Sequence, residues 1–215
     1  MPAPQDSQLE QPMAGFIKAA QLLGEDAPGL AKAAAQTTAQ ALSMFLTMAM
    51  VLPGTPAGID PVSGSGVTGG PGRLMPPPAG GPGAGQIEGL AQGALAGQGI
   101  RGADAGGLAK AVAGTIAQAI QLFTALGMVL PGIAIAGFVS AAPGMLQPVP
   151  LAGPLEAIAN GLLQGNGLRG EDAPGLAKAL AQGVDAALQM FSGMAMVTPG
   201  IAAVPGATAA PGRLA

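Results

Sequence analysis

The tetrapeptide Gly-Leu-Ala-Lys occurs three times, at residues 29–32, 107–110 and 175–178, so the chain lies over itself at offsets of 78 and 68. The register holds without a gap for a further twenty residues. Lys32 and Pro53, Lys110 and Pro131, and Lys178 and Pro199 are each 21 positions apart, and Phe45, Phe123 and Phe191 each follow their lysine by 13. Spacing this regular marks tandem copies of one supersecondary unit, and a unit that cannot bury its apolar face alone must pack on its neighbours.

Upstream of the tetrapeptide the same offsets align Leu9-Glu10 with Ile87-Glu88 and Leu155-Glu156, which places a short helix first in each unit. Ser7-Gln8-Leu9-Glu10 carries the reciprocal capping pattern of a helix start, and Pro154 serves the same purpose in the third copy. A loop comes next, in which Gly24, Gly102 and Gly170 end the short helix and Asp26, Asp104 and Asp172 cap the long one. In that longer helix Leu108, Val112, Ile116, Ile120 and Phe123 step by four, four, four and three, and Leu176, Leu180, Val184, Leu188 and Phe191 repeat the stripe. The first copy has Leu30, Ala34, Thr38, Leu42 and Phe45, smaller and more polar in the middle. The expected length is about 24 residues, roughly 36 Å at 1.5 Å per residue, ended by Pro-Gly, which cannot continue a helix.

Beyond each Pro-Gly runs a Pro/Gly-rich arm, read as extended or as a short strand at residues 133–139, and closed by Pro71-Gly72-Arg73-Leu74, Pro143-Gly144-Met145-Leu146 or Pro211-Gly212-Arg213-Leu214. The first arm is six residues longer, with the insertion expected within 60–70. The fold class expected is therefore mainly α: three helical hairpins, each with an extended arm, arranged with pseudo-threefold symmetry. Arms of unequal length argue for closure over an open solenoid of constant pitch. The boundaries expected are a lead at 1–8 and units at 9–86 (with a linker at 75–86), 87–154 and 155–215.

Composition narrows the chemistry. With no His and no Cys, the usual general base, the commonest metal ligand and thiolate sites are all missing. Three stretches, 64–69, 97–102 and 165–170, match the Gly-x-Gly-x-x-Gly pattern, but dinucleotide binding needs a strand before the glycines and a helix directly after. In a chain with 37 Gly they read as loops and caps. Glu25-Asp26 and Glu171-Asp172 read as first-turn acids favoured by the helix dipole rather than as cation ligands, Lys32, Lys110 and Lys178 as solvated side chains, and the six Ser as lacking an activating base. No catalytic, cofactor-binding or metal-binding residue is assigned, no cofactor is expected, and the chain is read as non-enzymatic. A net charge of -3, only 9% charged residues and five aromatics, all Phe, disfavour nucleic-acid binding; no small-molecule substrate is expected.

The repeat plan, with Pro-Gly-x-Leu arms at residues 66–74, 135–146 and 203–214, resembles the pseudo-threefold spike-tip and hub proteins of phage tails and contractile injection systems, including the PAAR-like tips. The chain departs from them in lacking a Pro-Ala-Ala-Arg element and the His and Cys that hold a metal in many tips. The resemblance implies a structural part of a large assembly, a hub, plug or tip on a trimeric axis, with protein partners and a place in a virion or injection particle assembled in the cytoplasm. Residues 1–11 lack the charged start and apolar run of a secretory signal, which fits that compartment. The rival reading is a membrane-active or membrane-embedded helical repeat, since residues 111–130 are long enough to cross a bilayer. Against it, Gln118, Gln121 and Asp185 interrupt the apolar stretches, and Tyr and Trp belts are absent.

Overall fold

The computed structural model describes residues 3–76 and 81–215. It is mainly α, with six helices and twelve short strands among the described residues. Three short helices, α1 (Asp6–Ala19), α3 (Ala84–Gly97) and α5 (Ala152–Gly165), alternate with three long ones, α2 (Ala27–Met48), α4 (Ala105–Leu126) and α6 (Ala173–Met194). After each long helix come four strands: β1 (Met50–Val51), β2 (Pro56–Ile59), β3 (Gly66–Thr68) and β4 (Gly72–Met75); β5 (Met128–Val129), β6 (Ala134–Ala136), β7 (Val139–Ser140) and β8 (Gly144–Met145); β9 (Met196–Val197), β10 (Ala203–Val204), β11 (Gly206–Thr208) and β12 (Gly212–Arg213).

The three long helices pack on one another, and each short helix lies in the groove between its own long helix and another: α1 on α2 and α6, α3 on α4 and α2, α5 on α6 and α4. Phe45, Phe123 and Phe191, all fully buried, meet with ring centroids 6.2, 5.7 and 5.9 Å apart, two of the three contacts edge-on. Such tilted and edge-on pairs add about 0.5–1.5 kcal/mol each beyond area burial. The glycine of the repeated tetrapeptide brings the hairpins close. A Cβ on Gly29 would lie 3.2 Å from Gln98 Cβ, on Gly107 2.7 Å from the Asn166 carbonyl, and on Gly175 3.1 Å from the Ala20 carbonyl, three positions related by the same offsets of 78 and 68.

The strands form two tiers, and both ladders close. In the first, the order β12-β1-β4-β5 continues through a bridge between Val129 and Leu146 to the β8-β9 pair, and a bridge between Val197 and Leu214 returns to β12. In the second, the order β10-β11-β2-β3-β6-β7 closes through Val139 and Ala202. A closed ladder leaves no strand edge for unwanted pairing. Ala57, Ile59, Ile135 and Ala203 fill the second tier.

Local details differ from the sequence expectations in instructive ways. The short helices start at Asp6, Ala84 and Ala152, each three residues before the boundaries drawn at 9, 87 and 155. Ser7 lies inside the first of them; the Gln8 side chain instead accepts the Gln5 amide at 2.9 Å, as Gln86 accepts that of Gly83 at 3.2 Å. The short helices do not end on Gly24, Gly102 and Gly170. They end three residues earlier, where Gln21, Gly99 and Gly167 take φ of +62°, +82° and +86°, and Leu22, Ile100 and Leu168 donate back to Ile17, Leu95 and Leu163 in Schellman closures. Asp26, Asp104 and Asp172 occupy the N-cap positions but adopt helical dihedrals and make no side-chain cap bond, because a preceding turn already satisfies the first amides (Ala27 to Gly24, Ala105 to Gly102, Ala173 to Gly170, each 3.0 Å).

The long helices span 22 residues, not 24, and stop before Pro-Gly. Ala49, Gly127 and Ala195 turn extended while still donating to the Phe carbonyl four residues back, and the chain passes directly into the first-tier strands: tertiary pairing ends the helix, and Pro-Gly turns the chain towards the second tier. Residues 133–139 form a hairpin rather than one strand, since Ala136 pairs with Val139 across a Gly137-Phe138 turn. The insertion narrows to residues 60–65, between Ile59 and Gly66, which pair. Of the expected linker at 75–86, Met75 belongs to β4 and 84–86 to α3, while 77–80 lie outside the described residues.

Candidate functional site

The seams between arms are built from three hydroxyls. Thr68 Oγ1 accepts the amides of Gly132 and Ile133 at 3.0 and 2.9 Å, Ser140 Oγ accepts that of Ile201 at 2.9 Å, and Thr208 Oγ1 accepts that of Thr55 at 3.0 Å. Beside them Gly132, Gly200 and Gly54 donate to the carbonyls of Thr68, Ser140 and Thr208, each at 2.8 Å. All three hydroxyl residues are buried, so each side chain satisfies backbone donors that water does not reach. Each stands three residues before a Pro-Gly-x-Leu closure. That spacing was a signal available in the sequence, hidden by the Thr/Ser alternation.

At the opposite end the hairpin loops surround a depression of about 500 Å³. Asp26, Asp104 and Asp172 line it, one from each loop, together with Arg169 over a floor that includes Leu22, Leu30, Leu168 and Leu176. The loops at 21–26, 99–104 and 167–172 carry five acids and two arginines, a balance of -3 that equals the net charge of the whole chain. Lys32, Lys110 and Lys178 stand exposed six residues beyond these aspartates along the long helices and do not line the depression.

The remaining sequence candidates fall into structural positions. The stretches at 97–102 and 165–170 begin at short-helix ends with no strand before them, and 64–69 covers the end of the insertion loop and β3. Gly64 there packs under Phe138 and its carbonyl accepts the Phe138 amide at 3.0 Å. Glu25-Asp26 and Glu171-Asp172 gather no third ligand, since among the described residues no group of three His, Cys, Asp or Glu could hold a metal ion. Ser140, Ser192 and Ser63 bond to backbone or to Asp60. Asp185 is buried, accepting the Leu151 amide at 2.6 Å and the Gln189 side chain at 2.7 Å; it anchors the start of α5. Helix α4 is the one described helix long and apolar enough to cross a bilayer. It is flanked by α2, α3, α5 and α6, with Gln118 and Gln121 on its exposed face.

No family model matches the chain, and no curated protein or solved structure matches it.

Proposed function

We propose that this chain is a non-enzymatic structural component of a large assembly: a closed, pseudo-threefold hub, plug or spike tip seated on the axis of a trimeric partner, of the kind found in phage tails and contractile injection systems. Three units, beginning at Asp6, Ala84 and Ala152, are each a helical hairpin with an arm. The observation that carries the reading is the return of the third arm to the first, through Thr208 and Thr55 and through the pairing of β12 with β1. A single chain closed in this way offers three similar faces about one axis, the form that can sit on a true trimer without breaking its symmetry.

The loop end is the docking end in this reading. Its three hairpin loops are equal in length and place one aspartate each around a shared depression, whereas the far tip is made unequal by the insertion at 60–65. The partner would be a protein trimer, with the chain located in a virion or injection particle.

Quantitative mass spectrometry of particles purified from the source cells tests this. One copy of the chain per trimeric spike or hub is the expected result. Recovery only as free soluble protein, or flotation with liposomes, overturns it.

A further inference from the structure

We propose that the waist of the molecule, where the long helices run into the first tier of strands, holds two thioether sites for a soft monovalent cation, Cu(I) or its redox-inert analogue Ag(I). Among the described residues every methionine except Met13 lies at this level, nine of ten. In the first unit Met44 and Met48 stand one turn apart at the end of α2, Met50 comes next on β1, and Met75 of β4 is its direct cross-strand partner. In the third, Met190 and Met194 end α6, Met196 comes next on β9, and its cross-strand partner is Met145 of β8.

The register brings these side chains together. Residues at i and i+4 share a helix face, and directly opposed strand residues have Cβ atoms about 4.5–5.5 Å apart. The amide and carbonyl of Met196 both bond to Ala215, so Met196 and Met145 are a non-hydrogen-bonded pair, the closer kind. Ala49 and Ala195 are buried, while the methionines on either side of each are partly exposed; Met48 with Met50, and Met194 with Met196, therefore turn to the same outer side. Each cluster offers up to four thioethers.

Gap-filling does not account for this pattern. The clusters lie at the surface, with Met145 52% and Met190 37% exposed. The second unit shows what apolar bulk alone requires: Leu122 and Leu126 hold the two helical positions, and Gln147 stands opposite Met128. Where leucine suffices for packing, methionine at both helical positions of the first and third units supplies sulfur instead. The strand position held by Gln147 in the second unit is Met75 in the first, and in the third, where Ala215 takes that place, Met145 of the neighbouring arm faces Met196. In a chain with no Cys and no His, thioether sulfur is the only soft side-chain donor, and soft donors of this type select Cu(I) over harder cations. Binding is coordination alone: the metal enters and leaves as the monovalent ion and no electron is transferred.

The test is titration of the purified full chain with Ag(I) in chloride-free buffer, and anaerobically with Cu(I) against a chromophoric Cu(I) chelator, with stoichiometry read by native mass spectrometry and site occupancy by the shifts of 13C-methyl methionine resonances. Two equivalents are expected, moving the waist methyls and leaving Met13 in place. Replacing Met48, Met50 and Met75 by Leu, a volume-conserving change, removes one equivalent; replacing Met145, Met194 and Met196 removes the other, with circular dichroism unchanged. No binding tighter than that of free methionine, or two equivalents retained in the six-Leu chain, overturns the proposal and leaves the waist as an apolar surface for a protein partner.

Discussion

Thr208 accepts the amide of Thr55 on its side-chain hydroxyl at 3.0 Å, across 153 residues of sequence. The bond is local in space and long-range in sequence, because it ties the last arm to the first. Thr68 and Ser140 make the corresponding bonds at the other two seams.

Thr208→Val removes that acceptor while keeping the shape, and leaves the Thr55 amide unpaired beside a buried side chain. The expected cost is about 1–3 kcal/mol in denaturant unfolding. Thr208→Ser keeps the hydroxyl, as Ser140 does at its own seam, and should stay within about 0.5 kcal/mol of the parent.

Gln21 holds the left-handed position that glycine fills at Gly99 and Gly167. A side chain there costs roughly 1 kcal/mol against glycine, so Gln21→Gly should raise the stability of the chain by about that amount. Gly99→Ala should lower it similarly, both read from urea midpoints at constant slope.

Adjacent glycines at the start of α4 should respond with opposite sign. Gly106 has nothing within 4 Å of an added Cβ, so Gly106→Ala gains helix propensity of up to about 1 kcal/mol. At Gly107 the added carbon would lie 2.7 Å from the Asn166 carbonyl, a backbone atom that cannot swing aside. Gly107→Ala should therefore cost about 1–3 kcal/mol, and thermal unfolding of the two variants side by side checks the contrast.

These glycines show how far the sequence could be read. The spacing of the tetrapeptide, the prolines and the phenylalanines located all six helices, because backbone periodicity and repeat register are written in consecutive residues. The tetrapeptide glycine itself could be aligned but not explained, since its reason is the neighbouring hairpin's Gln98, Asn166 or Ala20. The same limit applies to helix ends. Met48, Leu126 and Met194 end their helices because strands from distant parts of the chain pair with β1, β5 and β9, and nothing in the local residues requires it. Asp26, Asp104 and Asp172 were legible as N-cap positions, yet their carboxylates line a depression made by three loops at once, an arrangement visible only in space.

In the insertion loop, the Val62 amide and the Ser63 hydroxyl donate to Asp60 at 3.0 and 2.8 Å and hold its carboxyl below the ordinary value of 3.8. A depressed carboxylate contributes order that is fully present above its unfolded value and lost as the pH falls through the lower folded value. The amides of residues 62–65 should therefore exchange faster once the pH drops below about 3.8, with Asp60→Asn abolishing that step. Hydrogen exchange between pH 2 and 5 reads it, corrected for intrinsic rates.

Closure is tested most directly at three equivalent cross-strand pairs, Arg73 with Met128, Met145 with Met196, and Met50 with Arg213. The chain contains no cysteine, so paired cysteines at each seam report on that seam alone, at a spacing within disulfide reach. A closed ring predicts that all three double variants form intrachain disulfides with equal ease and unchanged helical signal. Oxidation at the first two seams with free or intermolecular thiols at Met50→Cys/Arg213→Cys would mean an open chain of three units, and would contradict the account.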